Sequence, residues 1–172
     1  EAMGGEIGVE SEVGVGSTFR VVLPMKEAPR GGEARERNVF DPELLSGRRV
    51  LIVESHGITR TMLGLCCDSW RVGYVDVASA SEALDLLKRG ERFDIALLDY
   101  TLPEALALAA EIEGLGLGDP PPILLMINAG PQQPLPPEGN KQVRGVLTKP
   151  VHQSHLYDAM VNALSGLFAL LM

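Results

Sequence analysis

Three short runs constrain the fold more than anything else in this chain: "VLIV" (50–53), "IALLD" (95–99) and "PPILLMI" (121–127). Each is apolar at successive positions instead of alternating, so each needs cover on both faces. Parallel sheets provide that cover, because their crossover connections place helices on either side. The segments between the runs carry apolar residues at helical spacing, as in Ile58, Met62, Leu65 and Cys66, followed by Ser69. Strands are expected at 49–54, 74–78, 93–99, 121–127 and 143–148, with helices at 57–70, 81–89, 103–114 and 153–171. The alternation predicts an α/β fold with a five-stranded parallel sheet, doubly wound.

Local punctuation supports those boundaries. Ser79 or Ser81 suits a helix N-cap, Gly90 suits a helix stop, and Pro103 suits a first helical turn. Leu156, Met160, Ala163, Leu164 and Leu167 form a core stripe on the last helix. One segment breaks the alternation. Between the fourth and fifth strands, "NAGPQQPLPPEGNKQVRG" holds Pro131, Pro134, Pro136 and Pro137 where a helix is due. An interior proline costs a helix about 3 kcal/mol, so a Pro-rich extended loop is expected to replace that fourth helix.

The N-terminal part reads differently. Residues 1–26 hold two β-type runs, "EIGVES" and "STFRVVLP", joined by the turn "EVGVGS". Residues 27–47 are polar, charged and rich in Gly and Pro, which is linker composition. The sequence opens without the look of a natural start and is expected to be a piece of a longer chain. A net charge of -8 disfavours a nucleic-acid surface, which needs clustered Lys and Arg. No apolar run reaches the roughly 18 residues of a membrane span. The adjacent Cys66 and Cys67 are expected as core filler in a reducing compartment, which points to the cytoplasm.

In a parallel sheet of this type, ligands bind beyond the carboxyl ends of the strands. Those ends carry Glu54 and Ser55, Asp99, Ile127 and Asn128, and Thr148 and Lys149. The chemistry to be explained is therefore expected on a single rim. His56 is expected exposed at a helix start, and Ser55 is expected to cap the helix that follows. His152 and His155 lie three apart, but with no third ligand apparent they read as a solvated helix start.

These motifs, "RVLIVESHGITR", "FDIALLDYTLP" and "VLTKPV" over residues 48–168, resemble a response-regulator receiver domain of the flavodoxin-like kind. "CDSW" followed by "ASASEALDLL" resembles the receivers attached to hybrid histidine kinases. "MGGEIGVESEVGVGSTFRVVLP" resembles the closing strands of a histidine kinase ATPase domain. The resemblance implies that Asp99 is the phosphoacceptor and Lys149 the partner of the phosphoryl oxygens. Glu54 and Asp99 would hold Mg²⁺, and the Lys149–Pro150 bond would be cis. It also implies an acid where Ser55 stands, a hydroxyl where Ile127 stands and an aromatic switch where Val146 stands. Those departures imply a weakened Mg²⁺ site and a carboxylate held mainly by Lys149.

The expected function is thus a regulatory or docking receiver of a hybrid histidine kinase in a phosphorelay, with impaired phosphorylation. Its partners would be the kinase domains of its own chain, a following receiver or a histidine phosphotransfer domain. The parent chain would be an ATP-dependent kinase of a kind that can be anchored in a membrane, whereas this piece is not expected to bind ATP or touch the membrane. A slow but working phosphoacceptor at Asp99 is one alternative. The other is a nucleotide-messenger site formed by the Pro-rich loop with Lys141 or Arg144.

Overall fold

The computed structural model describes residues 4–25, 41–115, 120–130 and 140–165. The chain divides into two units, residues 1–39 and 40–172. The first contains a hairpin of β1 (Glu6–Glu12) and β2 (Gly16–Val22), paired antiparallel with Val9 opposite Phe19 and Ile7 opposite Val21. That register gathers Ile7, Val9, Phe19 and Val21 on one face, and all four are exposed. Glu6, Glu10, Thr18 and Arg20 occupy the other face.

The second unit begins with a one-turn helix, α1 (Pro42–Leu45). β3 (Arg49–Val53), α2 (Gly57–Ser69), β4 (Gly73–Val77), α3 (Ala80–Lys88) and β5 (Ile95–Asp99) follow. α4 (Ala105–Gly114), β6 (Ile123–Asn128), β7 (Val143–Lys149) and α5 (Gln153–Leu164) complete it. The five strands form one parallel sheet in the order β4-β3-β5-β6-β7, as expected for a doubly wound receiver-like fold.

The apolar runs are covered on both sides. Val50 and Ile52 of β3 point into a core with Leu63 and Cys67 of α2 and with Leu156 and Met160 of α5. Leu51 and Val53 point the opposite way, into a core with Ala83 and Leu87 of α3 and with Leu108 and Ile112 of α4. Burying each such aliphatic side chain stabilises the fold by about 1.5–3 kcal/mol. Cys67 lies fully inside the first core, and burial, with smaller effects from Cys66 and Asp68, pushes its thiol up to about 12. Burial raises Cys66 as well. Both cysteines are free thiols that behave as packing groups.

The helix ends follow local chemistry. The Ser79 hydroxyl accepts from the Glu82 amide, and the Glu82 carboxylate accepts from the Ala78 amide. Gly90 follows α3 with φ +88°, in the left-handed conformation that ends helices.

Three expectations need correction. The linker does not extend to residue 47, because Leu45 is completely buried in the α2–α5 core. The Tyr157 hydroxyl also donates to the Asp41 carbonyl, which ties this segment to α5. Pro103 does not open a helix: the chain turns over 99–105, with Leu102 and Ala105 amides donating to the Asp99 and Leu102 carbonyls, and α4 starts at Ala105. Ser55 does not cap α2, whose N-cap is His56 with no side-chain capping bond. The Pro-rich segment 131–139 and the Leu167 end of the expected last helix lie outside the described residues. No described helix is long and apolar enough to cross a membrane.

Candidate functional site

Strand register brings the candidate residues to one rim. Glu54 follows the last residue of β3, whose Val53 pairs with Leu98, immediately before Asp99. Asp99 pairs with Met126 of β6, and at the end of β6 Asn128 pairs with Lys149. Glu54 and Asp99 are the buried charged residues of the described structure, each 1% exposed. The Lys149 ammonium lies between them, 2.6 Å from Glu54 Oε2 and 2.8 Å from Asp99 Oδ1. The Lys149–Pro150 bond that follows is cis.

The remaining carboxylate oxygens are also occupied. Glu54 Oε1 accepts from the His56 amide at 2.9 Å. The Thr101 amide donates to Asp99 Oδ1 at 2.9 Å, and the Thr101 hydroxyl lies 2.8 Å from both Asp99 oxygens. Burial pushes the Asp99 carboxyl up, but the bonds from Lys149 and Thr101 and the Lys149 charge outweigh it. The net effect holds Asp99 below its ordinary value, so it is an anion at neutral pH.

The loop after β3 is fixed by a residue the sequence did not single out. Arg60 on α2 donates through Nη1 to the Glu54 and Ser55 carbonyls, at 2.6 and 2.9 Å, and through Nε to Asp76 at 3.2 Å. This orients the Glu54 backbone while the Ser55 side chain stays exposed. Thr101 was missed too. Its signal was a hydroxyl two residues beyond a strand-end aspartate, a pattern that favours such local bonds.

The other sequence candidates lie around the rim. Ile127 is half-buried at the end of β6, and Val146 packs against the α3–α4 core. Neither supplies a hydrogen bond to Asp99, since an aliphatic side chain has no polar atom. His56 is exposed, with Nδ1 3.3 Å from the Thr59 hydroxyl. His152 and His155 are exposed and edge-on to each other, 5.6 Å between ring centroids. Together with Val146 and Thr148 they line a cavity of about 310 Å³ beside Lys149.

Mg²⁺ needs near-octahedral oxygen ligands and is reluctant to lose its waters. Glu54 and Asp99 are the carboxylates that would hold it. Both oxygens of each rim carboxylate already accept bonds from the chain's own donors, and Ser55 offers only a neutral, outward hydroxyl. Among the described residues, no three His, Cys, Asp or Glu side chains gather around a common point for a metal.

No protein-family model matches the chain. It is 30% identical over 171 residues to the autoinducer 2 sensor kinase/phosphatase LuxQ of Vibrio vulnificus, a match that covers 94% of this chain. The chain spans only 19% of the length of that relative. A sensor protein from Polaromonas sp. JS666 superposes with a TM-score of 0.60 at 22% identity, covering 70% of this chain and 98% of its own. The Saccharomyces cerevisiae complex of the histidine phosphotransfer protein Ypd1 with the receiver domain of Ssk1 matches with a TM-score of 0.59 at 19% identity. That match covers 70% of this chain and 91% of the other. The sequence match and the shared fold agree with the rim of strand-end residues: the five-stranded unit has the receiver fold, and the chain is similar to the receiver-bearing part of hybrid sensor kinases.

Proposed function

We propose that this receiver is a regulatory docking module of a hybrid kinase in a two-component phosphorelay, governed by its partners more than by phosphorylation of Asp99. The observation that carries this reading is the closed rim. Lys149 bridges Glu54 and Asp99, and Thr101 and the His56 amide take up the remaining carboxylate oxygens. Phosphoryl transfer depends on groups positioned to offset developing charge, and here the positioned cation is already shared by two carboxylates.

A docking face lies next to that rim. Ile58, Met62 and Leu65 form a stripe on α2 and are 73%, 57% and 61% exposed, with Tyr74 of β4 beside them. Three large apolar side chains at one-turn spacing suit contact with another helix. Kinase domains of the same chain and a histidine phosphotransfer domain are the partners this reading assigns to the stripe. The β1–β2 hairpin, too small to be stable alone and apolar on one face, reads as the closing strands of the kinase's ATPase domain.

Autophosphorylation of the full-length kinase tests the reading. Met62→Asp should shift the kinase rate severalfold, while Asp99→Asn should leave it within about twofold. The reverse pattern would contradict it. A slow phosphoacceptor remains the second reading because Asp99 is held as an anion beside Lys149, the ionisation state a nucleophile needs.

A further inference from the structure

The opposite end of the sheet carries a feature that the receiver reading does not use. A pocket of about 380 Å³ opens at the amino ends of the strands, within the size range of small-molecule sites. Its polar side chains are Arg48, Asp94, Gln142 and Arg144, and Pro120, Pro121 and Pro122 form one rigid wall. Arg48 leads into β3, Gln142 immediately precedes β7, Arg144 is near its start, and Ala163 and Leu164 belong to the last turn of α5.

The charges here are unbalanced, unlike those at the rim. Asp94 is engaged on both oxygens, by Arg48 Nη1 at 2.9 Å and by the Arg49 amide at 2.8 Å. The half-buried Arg144 guanidinium has no hydrogen bond or ion pair with any described residue, although it lines the pocket. Two guanidinium groups therefore face one carboxylate and the fractional negative charge of the α5 carbonyl end. The excess is positive, within a chain whose net charge is -8. A guanidinium presents parallel N–H donors that match a carboxylate or phosphoryl group.

We propose that this pocket is a binding site for a small oxyanion, a carboxylate- or phosphate-bearing metabolite, held by Arg144 with Arg48 and the side-chain amide of Gln142. The chain's overall negative charge repels extended polyanions, while a compact anion can reach a pocket lined by Arg48 and Arg144. The proposal is independent of the rim, which lies at the other end of the same strands.

The test is thermal unfolding of the 172-residue chain in sodium phosphate, sodium citrate or AMP, each against sodium chloride at matched ionic strength. A ligand of the folded state raises the midpoint in a saturable way. The expected result is such a rise with at least one of the three, with affinity reduced about tenfold or more by Arg144→Met and less by Arg144→Lys. A response to phosphate and AMP alone assigns a phosphoryl ligand, and a response to citrate alone assigns a carboxylate. No saturable response to any of the three, or one undiminished in Arg144→Met, would overturn the proposal. Amide shifts of Gln142 and Arg144 on titration give the same answer if a variant unfolds.

Discussion

β7 carries a cation at each end, and the two live under opposite conditions. At the carboxyl end Lys149 sits between two buried carboxylates, within 2.8 Å of each. At the amino end Arg144 lines an open pocket with no partner among the described residues. The first arrangement pairs its charges within the chain, between Lys149, Glu54 and Asp99. The second leaves a donor unused, and a polar group left unused at a pocket is where a ligand gains most. The end at which this fold family is expected to react is thus the more closed of the two.

That contrast can be broken by substitution, and the largest effect belongs to Lys149. Lys149→Met removes the cation and leaves Glu54 and Asp99 buried side by side, so unfolding in urea should show a loss of about 3–5 kcal/mol. The double variant Lys149→Met with Asp99→Asn should recover part of that loss, because one buried charge is gone. An exposed, screened pair would instead change stability by less than about 1 kcal/mol.

Thr101 comes next. Its one hydroxyl proton is shared between the two Asp99 oxygens, so Thr101→Val should cost about 1.5–3 kcal/mol, as for other bonds to a charged group. The acid limb of the stability curve reports the same interactions. Asp99 is depressed in the folded state, so its contribution is complete above the ordinary aspartate range and is lost as pH falls through the lower folded value. Asp99→Asn should flatten that part of the curve, read as urea midpoints across acidic pH.

The smallest effects sharpen the comparison from its other side. Ser55→Ala should change stability by no more than about 0.5 kcal/mol, since Ser55 is exposed and caps nothing. Arg144→Met should be similarly silent, within about 0.5 kcal/mol in chloride, because no described residue relies on it.

The sheet was legible because "VLIV", "IALL" and "ILLM" are apolar on both faces, which only a covered parallel sheet accommodates. Ser79 and Gly90 were legible because a cap and a left-handed stop are local events. α1 was not, since a single turn with Leu45 as its one core residue has no period to read. At the rim, Glu54, Asp99 and Lys149 followed from strand ends, but the N-cap fell one residue later than Ser55. Arg60 acts through the placement of α2 against the loop after β3, and spacing alone does not give that placement. The amino-end pocket was least legible of all. Arg48, Asp94, Gln142 and Arg144 are scattered along the chain and converge only when the sheet is assembled.

Intact-mass measurement tests whether the rim is closed to efficient phosphoryl acceptance. The chain would be incubated with a small-molecule phosphodonor in millimolar Mg²⁺, beside Asp99→Asn. The mass of the unsubstituted chain should remain essentially that of the unmodified protein, with the variant behaving in the same way. Near-stoichiometric addition of one phosphoryl group, absent from Asp99→Asn, would contradict a closed rim.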